Sequence, residues 1–113
     1  MTTSKKIKYG VKEAERDYGP LTFAKVLEAH RLGEEISQKD FAKLLGISQQ
    51  SLCDLEKGRK IPSAERASKI AEKLGEPSDF WIKLALQDML RVQHFNFEVS
   101  LSEPVKRRKV SNG

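Results

Sequence analysis

The stretch Ile36–Ser63, ISQKDFAKLLGISQQSLCDLEKGRKIPS, decides the fold because every helix boundary in it carries a chemical signal. Ser37 is a favourable N-cap for a first helix, and Gly46 ends that helix because glycine tolerates the left-handed backbone of a C-terminal cap. Ser48 caps a second helix, which Gly58 closes. The stretch therefore predicts two short helices joined by a tight turn.

The second of these helices, Gln49–Glu56, has one apolar face and one polar face. Spacing places the apolar residues of the whole stretch on a shared inner face: Phe41, Ala42, Leu45, Ile47, Leu52 and Leu55. Gln49 and Gln50 remain outward, next to each other at the N-terminus of the helix. Two adjacent amides in this position are suited to reading base edges in the major groove of DNA.

Length and composition narrow the class of protein. The 113 residues are enough for one domain with a modest core, and no apolar run approaches the roughly 18–20 residues of a membrane span. The start, MTTSKKIKYG, has no apolar run after its lysines, so we expect no secretory signal. The single cysteine, Cys53, excludes an internal disulfide, and one cysteine with two histidines argues against a zinc site.

The net charge of +5 and the isoelectric point of about 9.4 favour an anionic partner. Within residues 21–94, however, 12 basic residues nearly balance 11 acidic ones, and the excess lies near the two ends of the chain. The basic cluster of this central part, Lys57, Arg59 and Lys60, directly follows the second helix. The charge therefore supports DNA binding at that place rather than along the whole chain.

The chain divides into several segments. Residues 1–20 form an N-terminal arm that Gly19-Pro20 ends, and residues 21–94 form an all-α domain. Three more helices are predicted in this domain: Thr22–Leu32, Ala64–Leu74 and, with Ser78 as its cap, Asp79 to about Val92.

The spacing of the apolar residues along the sequence changes after His94. Residues 95–103 alternate between apolar and polar side chains, which is typical of a half-buried β-strand. Because a lone strand needs a partner and no second strand is evident, we expect it to pair antiparallel with the same strand of a second subunit. Pro104 ends the strand, and residues 104–113 are predicted to be a disordered basic tail.

The helix-turn-helix residues resemble the Cro/cI-type (XRE) family over about Leu21–Leu86. The positions that carry the resemblance are Ser37-Gln38, Phe41-Ala42, Leu45-Gly46-Ile47-Ser48 and Glu56-Lys57-Gly58. In this family the second helix of the motif, here Gln49–Glu56, is the recognition helix. Its start, Gln-Gln-Ser, is similar to that of the 434-type repressors of this family. The resemblance implies an all-α, five-helix, lambda-repressor-like domain, here followed by the short C-terminal β-strand. It also implies a cytoplasmic homodimer that binds double-stranded operator DNA and represses transcription.

The resemblance assigns roles to residues around the recognition helix. Gln49 and Gln50 would select the sequence by hydrogen bonds to adenine N6 and N7 or to a neighbouring base. Gln38, at the start of the preceding helix, would bind a DNA phosphate. Ser51 would reach a phosphate or a base, and Asp54 would either accept from a cytosine amino group or only be solvated.

The basic loop completes the predicted interface. Lys57, Arg59 and Lys60 would contact phosphates and make the affinity depend on salt. Cys53 is either a small filler residue beside DNA or a redox-active thiol. The sequence shows no nucleophile with its base and acid, no glycine-rich phosphate loop and no paired carboxylates, so we expect neither an enzyme nor a cofactor.

A second, partial resemblance concerns residues 62–84, PSAERASKIAEKLGEPSDFWIKL, which are similar to the HigA-type antitoxins. It implies an autoregulating antitoxin that also binds a protein toxin, with residues 1–20 as the preferred toxin-binding segment. The alternative is a stand-alone phage-type or chromosomal repressor without a toxin partner. Phe80 and Trp81 of this segment either complete the core or contribute to a dimer contact.

Overall fold

The structure is a computed structural model that describes residues 19–104. Five α-helices follow one another in this part of the chain: α1 Phe23–Gly33, α2 Gln38–Leu45, α3 Gln49–Glu56, α4 Ala64–Leu74 and α5 Ser78–Val92. The predicted all-α fold of five helices is therefore confirmed for these residues. None of these helices has the length and hydropathy of a membrane-spanning segment. Most of the predicted N-terminal arm, up to residue 18, and the predicted tail from residue 105 lie outside the described residues.

Hydroxyl side chains begin four of the five helices. The oxygens of Thr22, Ser37, Ser48 and Ser63 each accept the backbone N–H three residues further on, at 3.0 or 3.1 Å. Each cap satisfies an N–H that has no partner within its own helix, which is worth about 1 kcal/mol. The prediction that Ser78 caps the last helix is wrong, because Pro77 holds the N-cap position and Ser78 is the first residue of α5.

The core consists of buried apolar side chains from all five helices: Phe23, Leu27, Phe41, Ala42, Leu45, Leu52, Leu55, Ala67, Ile70, Ala71, Trp81, Leu84 and Ala85. Trp81 is fully buried, and its ring lies edge-on to Phe23 at a centroid distance of 5.4 Å. The interpretation of Trp81 as a core residue is thus confirmed. Its neighbour Phe80 is 41% exposed.

The helix packing leaves one face of α3 open. α5 packs against α4 and α1, whereas α3 packs against α1 and α2. Asp88 fastens α5 to the start of α1, since its Oδ2 accepts the N–H of Phe23 at 3.0 Å and its Oδ1 binds Arg91 at 2.9 Å. Burial raises the pKa of Asp88 despite these partners. α4, α1 and the hydrogen bonds of Asp88 therefore hold α5 in the domain. α3 packs its inner face against α1 and α2 and leaves its outer face open.

The segment after α5 departs from the prediction. Residues 95–104 form neither helix nor strand, so the predicted short β-strand is not present in the described part of this single chain. A strand is defined by backbone hydrogen bonds to a neighbouring strand. Here the backbone of the segment forms its hydrogen bonds with a side chain instead. The Nε2 of Gln87 donates to the carbonyl of Phe97, and its Oε1 accepts the N–H of Val99, both at 2.8 Å. The amide of Gln87 thus occupies the place of a neighbouring strand.

The end of α1 carries a non-glycine residue in the left-handed region, Glu35 at φ 57°. The N–H groups of Glu35 and Ile36 return to the carbonyls of Leu32 and Arg31, which satisfies the end of the helix. A side chain in this conformation costs roughly 1 kcal/mol. We therefore expect Glu35→Gly to raise the free energy of unfolding by about 0.5–1 kcal/mol in urea denaturation.

The matched control is Gly75→Ala, the opposite exchange at the end of α4. Gly75 has φ 71° and open space where a Cβ would lie, so backbone strain is the only expected penalty. Gly75→Ala should lower the free energy of unfolding by about 1 kcal/mol. If Glu35→Gly leaves the free energy of unfolding unchanged while Gly75→Ala lowers it, the left-handed conformation of Glu35 does not destabilise the fold.

Candidate nucleic-acid interface

The turn between α2 and α3 sets the angle at which α3 is presented. Gly46 adopts φ 72°, and its N–H returns to the carbonyl of Lys43 at 3.1 Å. The N–H of Ile47 returns to the carbonyl of Ala42 at 3.0 Å, which completes the C-terminal cap of α2. Ser48 follows at once as the cap of α3. The change of direction between the two helices is therefore fixed by backbone hydrogen bonds rather than by side-chain packing alone.

The two predicted base-reading residues lie at the surface. Gln49 and Gln50 are the first two residues of α3, and both are exposed, whereas Ser51 is half-buried. The N-terminus of a helix carries a partial positive charge. The exposed amides therefore lie at the end of α3 that favours an anionic partner, while their contacts with bases stay a prediction.

Asp54 connects residues on both sides of the outer face of α3. Its Oδ1 accepts from Nε2 of Gln50 at 3.1 Å and from Nε of Arg59 at 2.9 Å. The hydrogen bonds from Arg59, and secondarily from Gln50, lower the pKa of Asp54, so the carboxylate is ionised at neutral pH. In the free protein Asp54 thus bonds to two predicted DNA ligands, which the sequence did not predict, while its own contact with a base stays a prediction.

The basic loop after α3 folds back onto the helix. The N–H of Arg59 donates to the carbonyl of Asp54 at 2.9 Å, and a terminal guanidinium nitrogen of Arg59 donates to Sγ of Cys53 at 3.3 Å. Lys57 and Lys60 are exposed beside them. Because Arg59 already neutralises a neighbouring carboxylate, Lys57 and Lys60 supply the uncompensated positive charge of this loop.

A buried ion pair lies directly beneath the interface. Glu56, the last residue of α3, is buried, and Arg31 of α1 binds both of its carboxylate oxygens, with N–O distances of 2.7 and 3.1 Å. The hydrogen bond to Glu56 raises the pKa of Arg31. Nε2 of Gln38 donates to the same carboxylate at 3.0 Å. Glu56 therefore joins the first residue of α2, the end of α3 and α1.

This network gives Gln38 a structural contact that the sequence did not predict. The half-buried side chain of Gln38 reaches inward to Glu56, and its predicted phosphate contact stays a prediction. Arg31 was missed altogether, because nothing near it in sequence distinguishes it from a solvated arginine. In the part of the chain that the structure describes, no group of His, Cys, Asp or Glu side chains is arranged to hold a metal ion.

The bonds of Asp54 lead to a prediction about DNA affinity. Asp54→Asn removes a negative charge beside the predicted phosphate contacts and weakens the bond that holds Arg59. We expect the affinity for any duplex to rise about fivefold at low salt, since like charges near phosphates oppose binding. Fluorescence anisotropy with a scrambled duplex measures this. Asp79→Asn, which changes an exposed carboxylate on α5, should leave the affinity unchanged, and equal effects of both variants would contradict a local role for Asp54.

Comparison with known proteins agrees with this geometry. A family model for helix-turn-helix domains matches residues 27–81, which include all of α2, α3 and α4. An uncharacterized HTH-type transcriptional regulator of Methanocaldococcus jannaschii is 41% identical over 49 residues, which cover 43% of this chain and 74% of that protein. No solved structure matches the chain at a significant level. With its capped α2–turn–α3 unit and these two matches, the chain belongs to the XRE-type helix-turn-helix family.

Proposed function

We propose that this protein is a DNA-binding transcriptional regulator that represses transcription by occupying an operator. The observation that carries the proposal is the exposure of Gln49 and Gln50 at the start of α3, together with that of Lys57 and Lys60 in the loop after it, which Arg59 ties to α3 through Asp54. Outward amides at a helix N-terminus suit base edges, and the neighbouring cations suit phosphates. Both kinds of contact are thus offered by α3 and the loop that follows it.

In this proposal α3 enters the major groove with its N-terminus towards the bases. Gln49 and Gln50 select the sequence, and Ser51 contacts a base or a phosphate at the edge of the groove. Asp54 holds Gln50 in a defined rotamer before binding, because the bond between them is already formed in the free protein. Fixing a side chain beforehand reduces the entropy lost on binding.

Phosphate contacts supply the sequence-independent part of the affinity. Lys57 and Lys60 bind phosphates as free cations, and Arg59 does so when it exchanges Asp54 for DNA. Gln38 contributes through the N-terminus of α2, where backbone N–H groups favour an anion. We further propose that the protein acts in the cytoplasm, without a cofactor and without a catalytic step.

A homodimer with a two-fold axis would match an operator made of two symmetric half-sites. Two copies of α3 related by a two-fold axis would read half-sites about 34–36 Å apart, one turn of the DNA helix. A single module buries only about 600–1,000 Å² of protein surface on DNA, so a second copy would strengthen both affinity and specificity. The predicted C-terminal strand is our proposed element for joining the two copies.

Binding to the DNA immediately upstream of the protein's own gene tests the proposal. Fluorescence anisotropy at two salt concentrations, with a scrambled duplex as control, should show salt-sensitive binding that prefers the upstream sequence. The salt dependence reports the phosphate contacts and the preference reports base readout. Equal, weak binding to both duplexes would mean that charge alone accounts for the affinity and would remove the support for autoregulation.

A second candidate function is that of an antitoxin, which would repress its own operon and also bind a toxin. It is favoured by the HigA-like segment PSDFWIKL and by the 41% exposure of Phe80 within it, which leaves a ring available to a partner. The product of the adjacent gene should then co-purify with the full chain as a small basic, ribonuclease-like protein. Failure of that product to bind would favour a stand-alone repressor.

A further inference from the structure

The segment after α5 exposes an unusual amount of apolar surface. The rings of Phe95 and Phe97 stack at a centroid distance of 6.4 Å, yet they are 51% and 68% exposed. Leu101 is 43% exposed in the same segment, and Val92 is 59% exposed at the end of α5. Apolar side chains exposed so close together in sequence mark a surface that another molecule covers.

The hydrogen bonds of Gln87 define two different edges of this segment. In an extended chain the N–H and C=O of one residue point to the same edge, and alternate residues share that edge. The edge of Phe97 and Val99 faces α5, where the Gln87 amide bonds both residues. The opposite edge belongs to Asn96 and Glu98, together with Ser100. Within residues 19–104 the backbone groups of these three form no hydrogen bond.

We propose that this free edge pairs with the same edge of a second copy of the chain, antiparallel about a two-fold axis, and that Gln87 is the residue that positions it. The inference rests on the homodimer of the proposed function and specifies its interface. A row of unpaired backbone donors and acceptors is a template for another strand. Gln87 restricts the pairing to one edge, because the other edge is already bonded to α5.

The charge of Glu98, the backbone conformation of His94 and the missing N–H of Pro104 decide which residues of the two copies lie opposite each other. Pairing centred on Glu98 would place two carboxylates opposite each other, which is unfavourable. Pairing centred on Phe97 would soon reach His94, whose left-handed φ of 64° ends the extended chain. Pairing centred on Val99 avoids both problems and leaves Pro104, which has no N–H, outside the ladder.

The register centred on Val99 also explains why the partner is a second copy. It places Phe97 opposite Leu101 of the other copy and Val99 opposite its own equivalent, so the two most central exposed apolar side chains meet each other, while Phe95 lies opposite Glu103 at the end of the ladder. Glu98 then faces Ser100, without a like charge.

Sedimentation of the full chain tests the role of Gln87. The wild type should be a dimer at micromolar concentration, and Gln87→Ala should raise the dimer dissociation constant at least tenfold. Gln93→Ala, an exposed glutamine just after α5, is the matched control and should leave it unchanged. Circular dichroism of each variant verifies that the five helices are kept, so that a loss of dimer is not a loss of fold.

Disulfide trapping tests the register. In a Cys53→Ser background, Val99→Cys should form an intermolecular disulfide under a mild oxidant, because directly opposed residues of a non-hydrogen-bonded pair have Cα atoms about 4.5 Å apart. Ser100→Cys should cross-link far more slowly, and adding Gln87→Ala should slow the cross-link of Val99→Cys. Such kinetics would distinguish a positioning role of Gln87 from a general structural one.

Each outcome separates this inference from the proposed function. A dimer that binds the operator, is unaffected by Gln87→Ala and gives no disulfide at position 99 would overturn the inference and leave the repressor standing. A dimer that cross-links at position 99 but binds no duplex specifically would instead remove the proposed function. Cross-linking of position 99 to a different protein rather than to a second copy would also overturn the inference, in favour of a foreign strand at this edge.

Discussion

Replacing Arg31 by methionine should lower the free energy of unfolding by about 3–5 kcal/mol. The reason is that Glu56, whose side chain is 1% exposed, would be left with a buried charge and no cation. The loop after α1 would also lose a contact, because a guanidinium nitrogen of Arg31 donates to the carbonyl of Ile36 at 3.0 Å. Urea denaturation of the wild type and the variant at the same pH measures the difference.

A surface ion pair provides the control for this experiment. Lys69→Met removes the exposed pair between Lys69 and Glu65, which are 3.6 Å apart, and should change stability by less than about 1 kcal/mol. If Arg31→Met does not fold, Arg31→Lys should fold with a loss of about 1–2 kcal/mol, since lysine keeps the charge but not the bidentate geometry. Equal losses in Arg31→Met and Lys69→Met would show that the buried pair is dispensable.

The double variant Gln49→Ala, Gln50→Ala should lose its preference for the operator by at least about 30-fold. Each good amide–base pair discriminates by roughly 1–3 kcal/mol, and two such pairs act together. Binding to a scrambled duplex should stay nearly unchanged, because the phosphate contacts are kept. Competition between the upstream and scrambled duplexes, followed by fluorescence anisotropy, measures the ratio directly.

The lysines of the loop after α3 should behave in the opposite way. Replacing Lys57 and Lys60 by alanine should weaken binding to both duplexes alike and reduce the salt dependence by about two phosphate contacts. Because Gln50→Ala also breaks the bond to Asp54, the single variant Gln49→Ala isolates base readout. A double glutamine variant that loses affinity equally for both duplexes would contradict the assignment of base reading to α3.

Local chemistry made most of the fold predictable. The predicted bounds Gln49–Glu56 and Ala64–Leu74 are those of α3 and α4 in the structure, because serine caps fix their starts and the residues after them break the helix. The cap predicted at Ser78 failed because proline, with its fixed φ and its missing N–H, already suits the boundary position. The sequence could not distinguish these two candidate starts.

Several contacts that sequence reasoning missed are non-local. Arg31 and Glu56 are separated by 25 residues, and nothing in their spacing shows that α1 crosses the end of α3. The bonds of Gln87 to Phe97 and Val99 depend on how the chain turns after His94. The alternating pattern of residues 95–103 indicated a strand edge but could not show that a side chain would occupy one of its sides.

Because the single tryptophan lies in the centre of the core, its fluorescence can report the folding of this protein. Trp81 is the only indole in the chain and is 1% exposed among Phe23, His30 and Phe80. Its emission should be blue-shifted in the native state and should shift to the red only when the whole core opens. One fluorescence signal can therefore report folding for every variant above, with no label and no interference from the predicted DNA-contacting residues.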